Sequence, residues 1–350
     1  MTESGETMRF TADPPTGEGS MEERPLRRGD VVEVKSAAEI LATLDASGTL
    51  EEMPFMPEMA RFCGKRFTVD RRADKVCDTS HWTGSRRVQN AVLLDNLRCD
   101  GSAHGGCQAE CRPFWKEAWL RRVDVQAKEA PGEAPGEAPG DDGRLVQLTV
   151  GKARRDGTPP AWRCQATELH DASERLNTFD PRPWVREYTT RNVELPKLLR
   201  VLGRAAVHEP MRKLGLLAQV PLPGRHATTP PETPLHLQPG ELVEVKGPAE
   251  LADALTVNGR NRGLWFDREM LPFCGKRFRV RQRIRRFLDE RTGQMIELKT
   301  DCVSLEGVVC AGEFSTRRWL CSRAIYPYWR ESWLRRVEEP APATISENGD

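Results

Sequence analysis

Four side chains with metal-ligating chemistry stand within residues 98–111, RCDGSAHGGCQAEC: Cys99, His104, Cys107 and Cys111. Thiolate and imidazole are the ligands of structural zinc sites, and thiolates also hold iron–sulfur clusters. The glycines between them permit tight turns that could bring these ligands together. The stretch therefore indicates a metal-binding loop; the alternatives are a disulfide staple or a set of small buried thiols.

The surrounding composition favours the metal interpretation. The chain has ten cysteines in 350 residues and a formal charge of +1. No apolar run reaches the roughly 18 residues that a membrane helix needs, and the N-terminal segment lacks the apolar stretch of a secretory signal. These features predict a cytoplasmic protein, in which thiols stay reduced and disulfides are disfavoured. The near-zero charge gives no overall attraction to nucleic acid or membranes.

An internal repeat organises the chain. GDVVEVK, from Gly29, and FCGKRFTV, from Phe62, return 211 positions later as GELVEVK and FCGKRFRV, and FWKEAWLRRV, from Phe114, returns 214 positions later as YWRESWLRRV. Such self-similarity predicts two copies of one module. We predict a disordered N-terminus (1–28), a first Cys-rich module (29–124), a Pro/Gly linker (125–143), an α+β middle domain (144–220), a Pro-rich linker (221–239), a second Cys-rich module (240–337) and a disordered tail (338–350).

Short alternating segments and one short helix in each module predict small, mainly β units. In their pattern, with GDxVxV opening the first strand, the modules resemble SH3-like barrels. In the middle segment, RLVQLTVG and AWRCQATEL alternate like a hairpin, and the stretch that follows has helical spacing, broken near Pro210. The predicted fold is therefore mainly β with an α+β insert: two SH3-like barrel modules flanking a small α+β domain.

Three cysteines recur at aligned positions: Cys63 with Cys274, Cys99 with Cys310, and Cys107 with Cys321. Zinc and iron–sulfur centres use four soft ligands, so we expect each trio to converge within about 4 Å and to need one more ligand. Cys302 is the candidate in the second module. In the first, Cys111 is favoured over the alternates Cys77 and His104, because thiols four residues apart share one face of a helical turn. Replacing Cys111 by serine should then remove about one metal site, and replacing Cys77 should not.

Two resemblances accompany these residues. CDGSAH, from Cys99 to His104, is similar to the motif of the CDGSH iron–sulfur proteins, in which a cysteine and a histidine four residues on bind a two-iron cluster; here the two are five apart, and the second module has CAGEFS. The whole repeat, with FCGKRF, CDGSAHGGC and FWKEAWLRRV, resembles bacterial cysteine-rich tandem-repeat proteins, which implies no particular activity.

The sequence therefore predicts a metal-binding accessory protein, with zinc or an iron–sulfur cluster in each module and a protein partner. No catalytic motif is present. For Cys164 and His170, in RCQATELHD, we favour a strand with one buried thiol. The alternative is that the two residues form a thiol-and-base pair or an extra metal-binding pair. One alternative function is an iron–sulfur redox enzyme or electron carrier in a bacterial biosynthetic pathway. The other is a nucleic-acid-binding SH3-like protein, for which KRFRVRQRIRR supplies a row of basic residues: Arg277, Arg279, Arg281, Arg283 and Arg285.

We favour a solvated edge strand for this arginine row. Because each neutralised phosphate releases counterions, a phosphate-binding row would bind nucleic acid most strongly at low salt. We therefore expect no tight binding in a gel-shift titration at about 50 mM salt. Tight binding that is abolished by replacing Arg277, Arg279 and Arg281 would contradict this expectation.

Overall fold

The computed structural model describes residues 24–123, 143, 161–177, 180–316 and 318–338. The EAPG repeat, the segment RLVQLTVG and most of the predicted N-terminal and C-terminal tails lie outside these residues. Within the described part of the chain, short antiparallel β-strands predominate over helices, which confirms the prediction of a mainly β protein.

The first module forms a five-stranded antiparallel sheet. Its strands, together with two short hairpins, are β1 (Val31–Val34), β2 (Thr49–Leu50), β3 (Met53–Pro54), β4 (Arg66–Arg72), β5 (Val76–Cys77), β6 (Ser85–Arg87), β7 (Ala91–Leu94), β8 (Trp115–Lys116) and β9 (Leu120–Arg122). The strand order in the sheet is β8-β7-β4-β1-β9. The alternation in VVEV buries Val32 and Val34 against the core, as a strand with one covered face requires.

The second module builds a sheet with the same connections. After β10 (Glu174–Arg175), its strands are β11 (Leu242–Val245), β12 (Arg260–Asn261), β13 (Leu264–Trp265), β14 (Arg277–Arg283), β15 (Arg286–Leu288), β16 (Met295–Glu297), β17 (Cys302–Leu305), β18 (Trp329–Arg330) and β19 (Leu334–Arg336). The order is β18-β17-β14-β11-β19, and β14 carries a register shift at the same place as β4. The two sheets are therefore equivalent strand for strand.

A 3₁₀ turn joins the two edge strands in each sheet, Glu117–Trp119 in the first and Glu331–Trp333 in the second. No hydrogen-bonded ladder connects these edge strands to each other among the described residues, so neither sheet closes into a barrel there. The tryptophans of FWKEAWLRRV and YWRESWLRRV, whose recurrence four residues apart favours core positions, do lie in the cores. Trp119 meets Phe55 edge-on with ring centroids 5.1 Å apart, and Trp333 meets Phe266 in the same way at 5.3 Å.

The helices are few: α1 (Ala37–Leu41), α2 (Arg182–Thr189), α3 (Leu195–Lys213) and α4 (Pro248–Asp253). Two further 3₁₀ turns, Pro57–Phe62 and Arg268–Phe273, precede the FCGKRF segments. Helix α3 continues through Pro210, which lies in its last turn, so the predicted break does not occur there.

The described part of the middle segment packs against both modules. AWRCQATEL was expected to be a strand, but it forms turns, because Cys164 and Leu169 are used to cover the first core. Leu198 and Val201 of α3 instead form a small cluster with Trp319 and Leu320 of the second module. These apolar contacts override the local alternation of the sequence.

Each module packs one hairpin against the other module. The β5–β6 hairpin of the first module lies against the second module, where the Ser322 N–H donates to the Lys75 carbonyl at 2.9 Å. The β15–β16 hairpin of the second module lies against the first module in the same way: the Gln108 N–H donates to the Arg286 carbonyl at 3.0 Å. Both donors and both acceptors stand at aligned positions of the repeat. The modules therefore pack with an approximate two-fold relation.

One buried arginine ties this interface together. The Arg323 guanidinium donates to the Cys77 carbonyl at 3.1 Å, to Thr79 Oγ1 at 2.9 Å and to both carboxylate oxygens of Glu290. Its side chain is 5% exposed, and that of Glu290 is 22% exposed. The interaction joins a loop of the second module to hairpins of both modules.

We predict that Arg323→Met lowers the free energy of unfolding by about 3 kcal/mol, because it removes the cationic partner of the largely buried Glu290 carboxylate, which keeps only the Thr79 hydroxyl as a donor, and the side-chain donor to the Cys77 carbonyl. Arg335→Met is the matched control. Arg335 pairs with Glu250 at 3.0 Å, but both side chains are about half exposed, so its loss should cost less than about 1 kcal/mol. Urea denaturation of both variants measures the difference, and equal losses would contradict the role given to Arg323.

Candidate metal centres

Two groups of metal-ligating side chains are compact in the described structure. The ligand atoms of Glu58, Cys99 and His104 all lie within 4.8 Å of one another, and a second such group contains Asp78, His81 and His170. The predicted trios, Cys63 with Cys99 and Cys107 and Cys274 with Cys310 and Cys321, do not converge in this way. Neither trio is among the compact groups of the described residues.

Cys63 and Cys274 have the same local role in the two modules. Each residue ends the 3₁₀ turn before its FCGKRF strand, with φ −55° and ψ 136°, and each packs against the core of its own module. The glycine that follows, Gly64 or Gly275, adopts a positive φ and starts the strand. Recurrence at these positions therefore reflects the turn as well as the thiol.

The first compact group is buried and acidic. The Cys99 thiol donates to Glu58 Oε1 at 2.9 Å, and His104 Nδ1 lies 3.4 Å from the same oxygen and 3.9 Å from Cys99 Sγ. The side chains of Glu58 and His104 are 3% and 4% exposed. The second carboxylate oxygen, Glu58 Oε2, is buried and has no hydrogen-bond partner in the described structure. A buried carboxylate in this condition favours a cation beside it.

Local structure fixes these three residues. Glu58 lies in the first turn of the 3₁₀ segment Pro57–Phe62, and Cys99 begins the loop that leaves the sheet after β7. That loop folds back so tightly that a Cβ on Gly101 would lie 1.9 Å from the Cys107 carbonyl oxygen, and φ there is +72°. Glycine is therefore required at position 101, and the resulting turn brings His104 over Cys99.

Burial shifts the pKa values of Cys99 and His104 in the directions that favour their uncharged forms. It raises the pKa of the Cys99 thiol far above its usual range, with the Glu58 carboxylate adding to the effect, and it lowers the pKa of His104. In the metal-free protein the thiol therefore keeps its proton and the imidazole is neutral. A neutral imidazole is ready to bind a metal, whereas the thiol must exchange its proton for the ion.

Further thiols line the small cavity next to this group. Cys107, Cys111 and Cys164 share it with Cys99 and His104, and its free volume is about 40 Å³. Burial raises the pKa of Cys111 to about 12 and that of Cys164 to about 11. Sequence reasoning linked Cys164 with His170, but the structure brings it to this cavity through the turn at residues 161–173.

The second module uses the equivalent glutamate differently. Glu269 stands 211 positions after Glu58 and near Cys310, but its carboxylate accepts the backbone N–H groups of Glu313, Phe314 and Ser315 at 3.2, 2.7 and 2.7 Å. Ser315 stands 211 positions after His104, within a loop that is three residues longer in the second module. Glu269 therefore fastens a loop, whereas Glu58 faces a thiol, an imidazole and an unpaired oxygen. Sequence reasoning considered only cysteines and histidines, and the alignment of the two glutamates was the signal it missed.

The remaining cysteines form a mixed set across the interface. The Cys77 N–H, from the first module, donates to Cys321 Sγ at 3.1 Å, and the two thiols are hydrogen-bonded to each other. The Leu288 N–H, at the aligned position, donates to Cys107 Sγ at 3.4 Å. Cys77 therefore belongs with the cysteines of the second module.

Cations surround that second set. The Cys321 hydrogen bond, helped by Arg323 and Arg318, lowers the pKa of Cys77 to about 7 although the thiol is buried. Cys310 also lies within electrostatic range of Cys77. Cys302, the predicted fourth ligand, sits on β17 opposite Arg330, and burial raises its pKa to about 12. These arginines disfavour a cation among Cys77, Cys310 and Cys321. Arg323 also lines the cavity that contains Cys111 and lies within electrostatic range of that thiol.

The arginine row lies mainly on β14, which pairs with β11 on one side and β17 on the other. The predicted edge strand is therefore wrong, because β14 is the central strand of its sheet. At least three of the five arginines pair with carboxylates. Arg277 pairs with Glu244 at 3.3 Å, Arg281 with Glu110 at 2.7 Å, and Arg283 with Asp301. These ion pairs offset part of the positive charge of the row.

No protein-family model matches the chain, and neither a curated protein nor a solved structure is significantly similar to it. Within the described residues, no helix has the length and apolar character that a membrane crossing requires.

The thiol pair Cys77–Cys321 gives a direct test of this geometry. Raising the pH of metal-free protein should produce a first thiolate near pH 7, because the Cys321 thiol donates to the Cys77 sulfur and stabilises its anion. Thiolate absorbance at 240 nm measures this step. In Cys321→Ala the step should move toward the ordinary cysteine value of about 8.5. An unchanged titration would show that the two sulfurs do not interact.

Proposed function

We propose that this chain is a metal-binding accessory protein that holds one zinc ion at Glu58, Cys99 and His104. The observation that carries the proposal is the buried Glu58 carboxylate, with one unpaired oxygen, a thiol and an imidazole around it. The equivalent Glu269 accepts hydrogen bonds from three backbone amides instead. A glutamate at this position therefore does not by itself gather a thiol and an imidazole around it.

The ligand types and distances support a single ion. Zinc binds sulfur at about 2.3 Å and nitrogen or oxygen at about 2.0–2.2 Å in a tetrahedron, which sets the ligand atoms about 3.3–3.8 Å apart. The separations of 2.9–3.9 Å in this group are close to that range. Iron–sulfur clusters are held mainly by thiolates, whereas the nearest neighbours of Cys99 here are a carboxylate and an imidazole.

Cys111 is our choice for the fourth ligand. It lines the same cavity, and its charge influences the pKa of Cys99. The Cys99 N–H donates to the Cys111 carbonyl at 2.8 Å, so the two residues already lie side by side. Because this cavity also contains Leu288 of the second module, a bound ion would brace the contact between the modules.

The sheet topology supports an accessory role. The strand order, with a 3₁₀ turn linking the two edge strands, resembles that of SH3-like barrels, a fold that carries many functions, so the accessory role rests on this analogy. No observation of the described structure favours a nucleic-acid or redox function over this one, since the arginine row is partly ion-paired and the compact group contains one thiol.

Zinc content and affinity in matched variants test the proposal. Full-length protein purified without chelator should contain zinc, measured by mass spectrometry, and should lack visible absorption. Glu58→Gln, Cys99→Ser and Cys111→Ser should each weaken zinc binding in a chelator competition by at least about tenfold, because each removes a ligand.

The repeat supplies the controls. Glu269→Gln and Cys302→Ser change the second module at related positions and should leave zinc affinity as it is; Cys77→Ser should also do so. Brown protein containing iron and sulfide, with the colour lost in Cys111→Ser and Cys164→Ser, would contradict the zinc proposal and favour the iron–sulfur alternative. Colourless, metal-free wild-type protein that does not take up zinc would contradict both.

A further inference from the structure

The second compact group lies at the tip of the β5–β6 hairpin, on a more open surface. The side chains of His81 and His170 are 40% and 34% exposed, and their rings are 4.2 Å apart. Asp78 lies beneath them with 2% of its side chain exposed. His170 comes from the middle segment, so the group forms where that segment covers the first module.

The distances suit a shared cation. His170 Nδ1 lies 3.5 Å from Asp78 Oδ2, the separation expected when one ion binds both atoms at about 2.1 Å. That ring nitrogen is buried and has no hydrogen-bond partner in the described structure. His81 Nδ1 lies 3.9 Å from Asp78 Oδ1 and 2.8 Å from Ser80 Oγ.

The turn holds Asp78 in place before any metal arrives. Its carboxylate accepts the backbone N–H groups of Ser80, His81 and Thr83 at 3.0, 2.8 and 3.2 Å, together with the hydroxyl groups of Ser80 and Thr83. Carboxylates that ligate metals are commonly oriented by such hydrogen bonds. Because both oxygens of Asp78 already accept hydrogen bonds, an ion at Oδ2 would replace the bond from the Thr83 hydroxyl.

The equivalent turn of the second module forms without histidines. Asp289 stands 211 positions after Asp78 and accepts the N–H groups of Arg291 and Thr292, both at 2.9 Å. The turn therefore needs the aspartate but no histidine, and Thr292 occupies the place of His81. The two imidazoles of the first module are not required by the fold of the hairpin.

We propose that Asp78, His81 and His170 form a second metal site, which binds a borderline divalent ion such as Zn²⁺, Co²⁺ or Ni²⁺. Two imidazoles and one carboxylate suit these ions better than Mg²⁺ or Ca²⁺, which prefer all-oxygen ligands. Because the histidine rings are partly exposed, coordination positions remain open to water and the ion should exchange with solvent. This site contains no thiol, so it is independent of the zinc site at Glu58.

Titration of the full-length protein with Co²⁺ separates the two sites. A thiolate ligand gives strong near-ultraviolet charge-transfer absorption, whereas a site of imidazole and carboxylate gives weak visible bands without it. We expect one equivalent of each type. The double variant His81→Asn/His170→Asn should lose the equivalent without charge transfer and keep the other, while Cys99→Ser should do the reverse.

His236→Asn is the matched control, since His236 is 72% exposed and also faces a carboxylate, Asp301, at 3.6 Å. The His236→Asn variant should still bind both equivalents of Co²⁺. A second readout needs no substitution: Ni²⁺ added to ¹⁵N-histidine-labelled wild-type protein should broaden the imidazole signals of His81 and His170 before those of His236. Unchanged Co²⁺ stoichiometry in the double variant, or equal broadening of all three histidines, would overturn the proposal.

Discussion

The rest of the structure depends on the reciprocal contact between the two modules. Each module gives a hairpin to the other, and the hairpin backbone donates to a cysteine there: the Leu288 N–H to Cys107 and the Cys77 N–H to Cys321. A net contribution of about 1 kcal/mol for each such hydrogen bond is modest. The position of the bonds matters more, since both lie in thiol-lined interiors that exist only when the modules are together.

This exchange explains why the two thiol sets differ although the modules share one ancestral pattern. In the first module the loop glutamate is left beside Cys99 and His104, and the cavity gains a further thiol, Cys164, from the middle segment. In the second module, the Glu269 carboxylate accepts hydrogen bonds from backbone amides, and arginines lie near the thiols. One copy thus retains the features of a cation site, and the other has become a charged, hydrogen-bonded part of the interface.

The sequence predicts what is local and repeated. It shows the aligned cysteines, the alternation of the strands and the buried tryptophans, because these depend on periodicity along the chain. It does not show that Cys77 joins Cys321, since their contact spans 244 positions and depends on how the modules pack. It also misses Glu58, one of 52 acidic residues, whose significance lies in its burial. The predicted strand at AWRCQATEL fails for a similar reason, because its apolar residues cover the first core from a turn.

Zinc K-edge absorption spectroscopy of the His81→Asn/His170→Asn variant tests the central claim most directly, because it reports which atoms surround the metal and because this variant lacks the second proposed metal site. A zinc ion held by Cys99, Cys111, His104 and Glu58 should show a mixed shell, with about two sulfur atoms near 2.3 Å and about two nitrogen or oxygen atoms near 2.0–2.1 Å. A shell of four sulfur atoms, or one with no sulfur at all, would contradict this assignment of ligands.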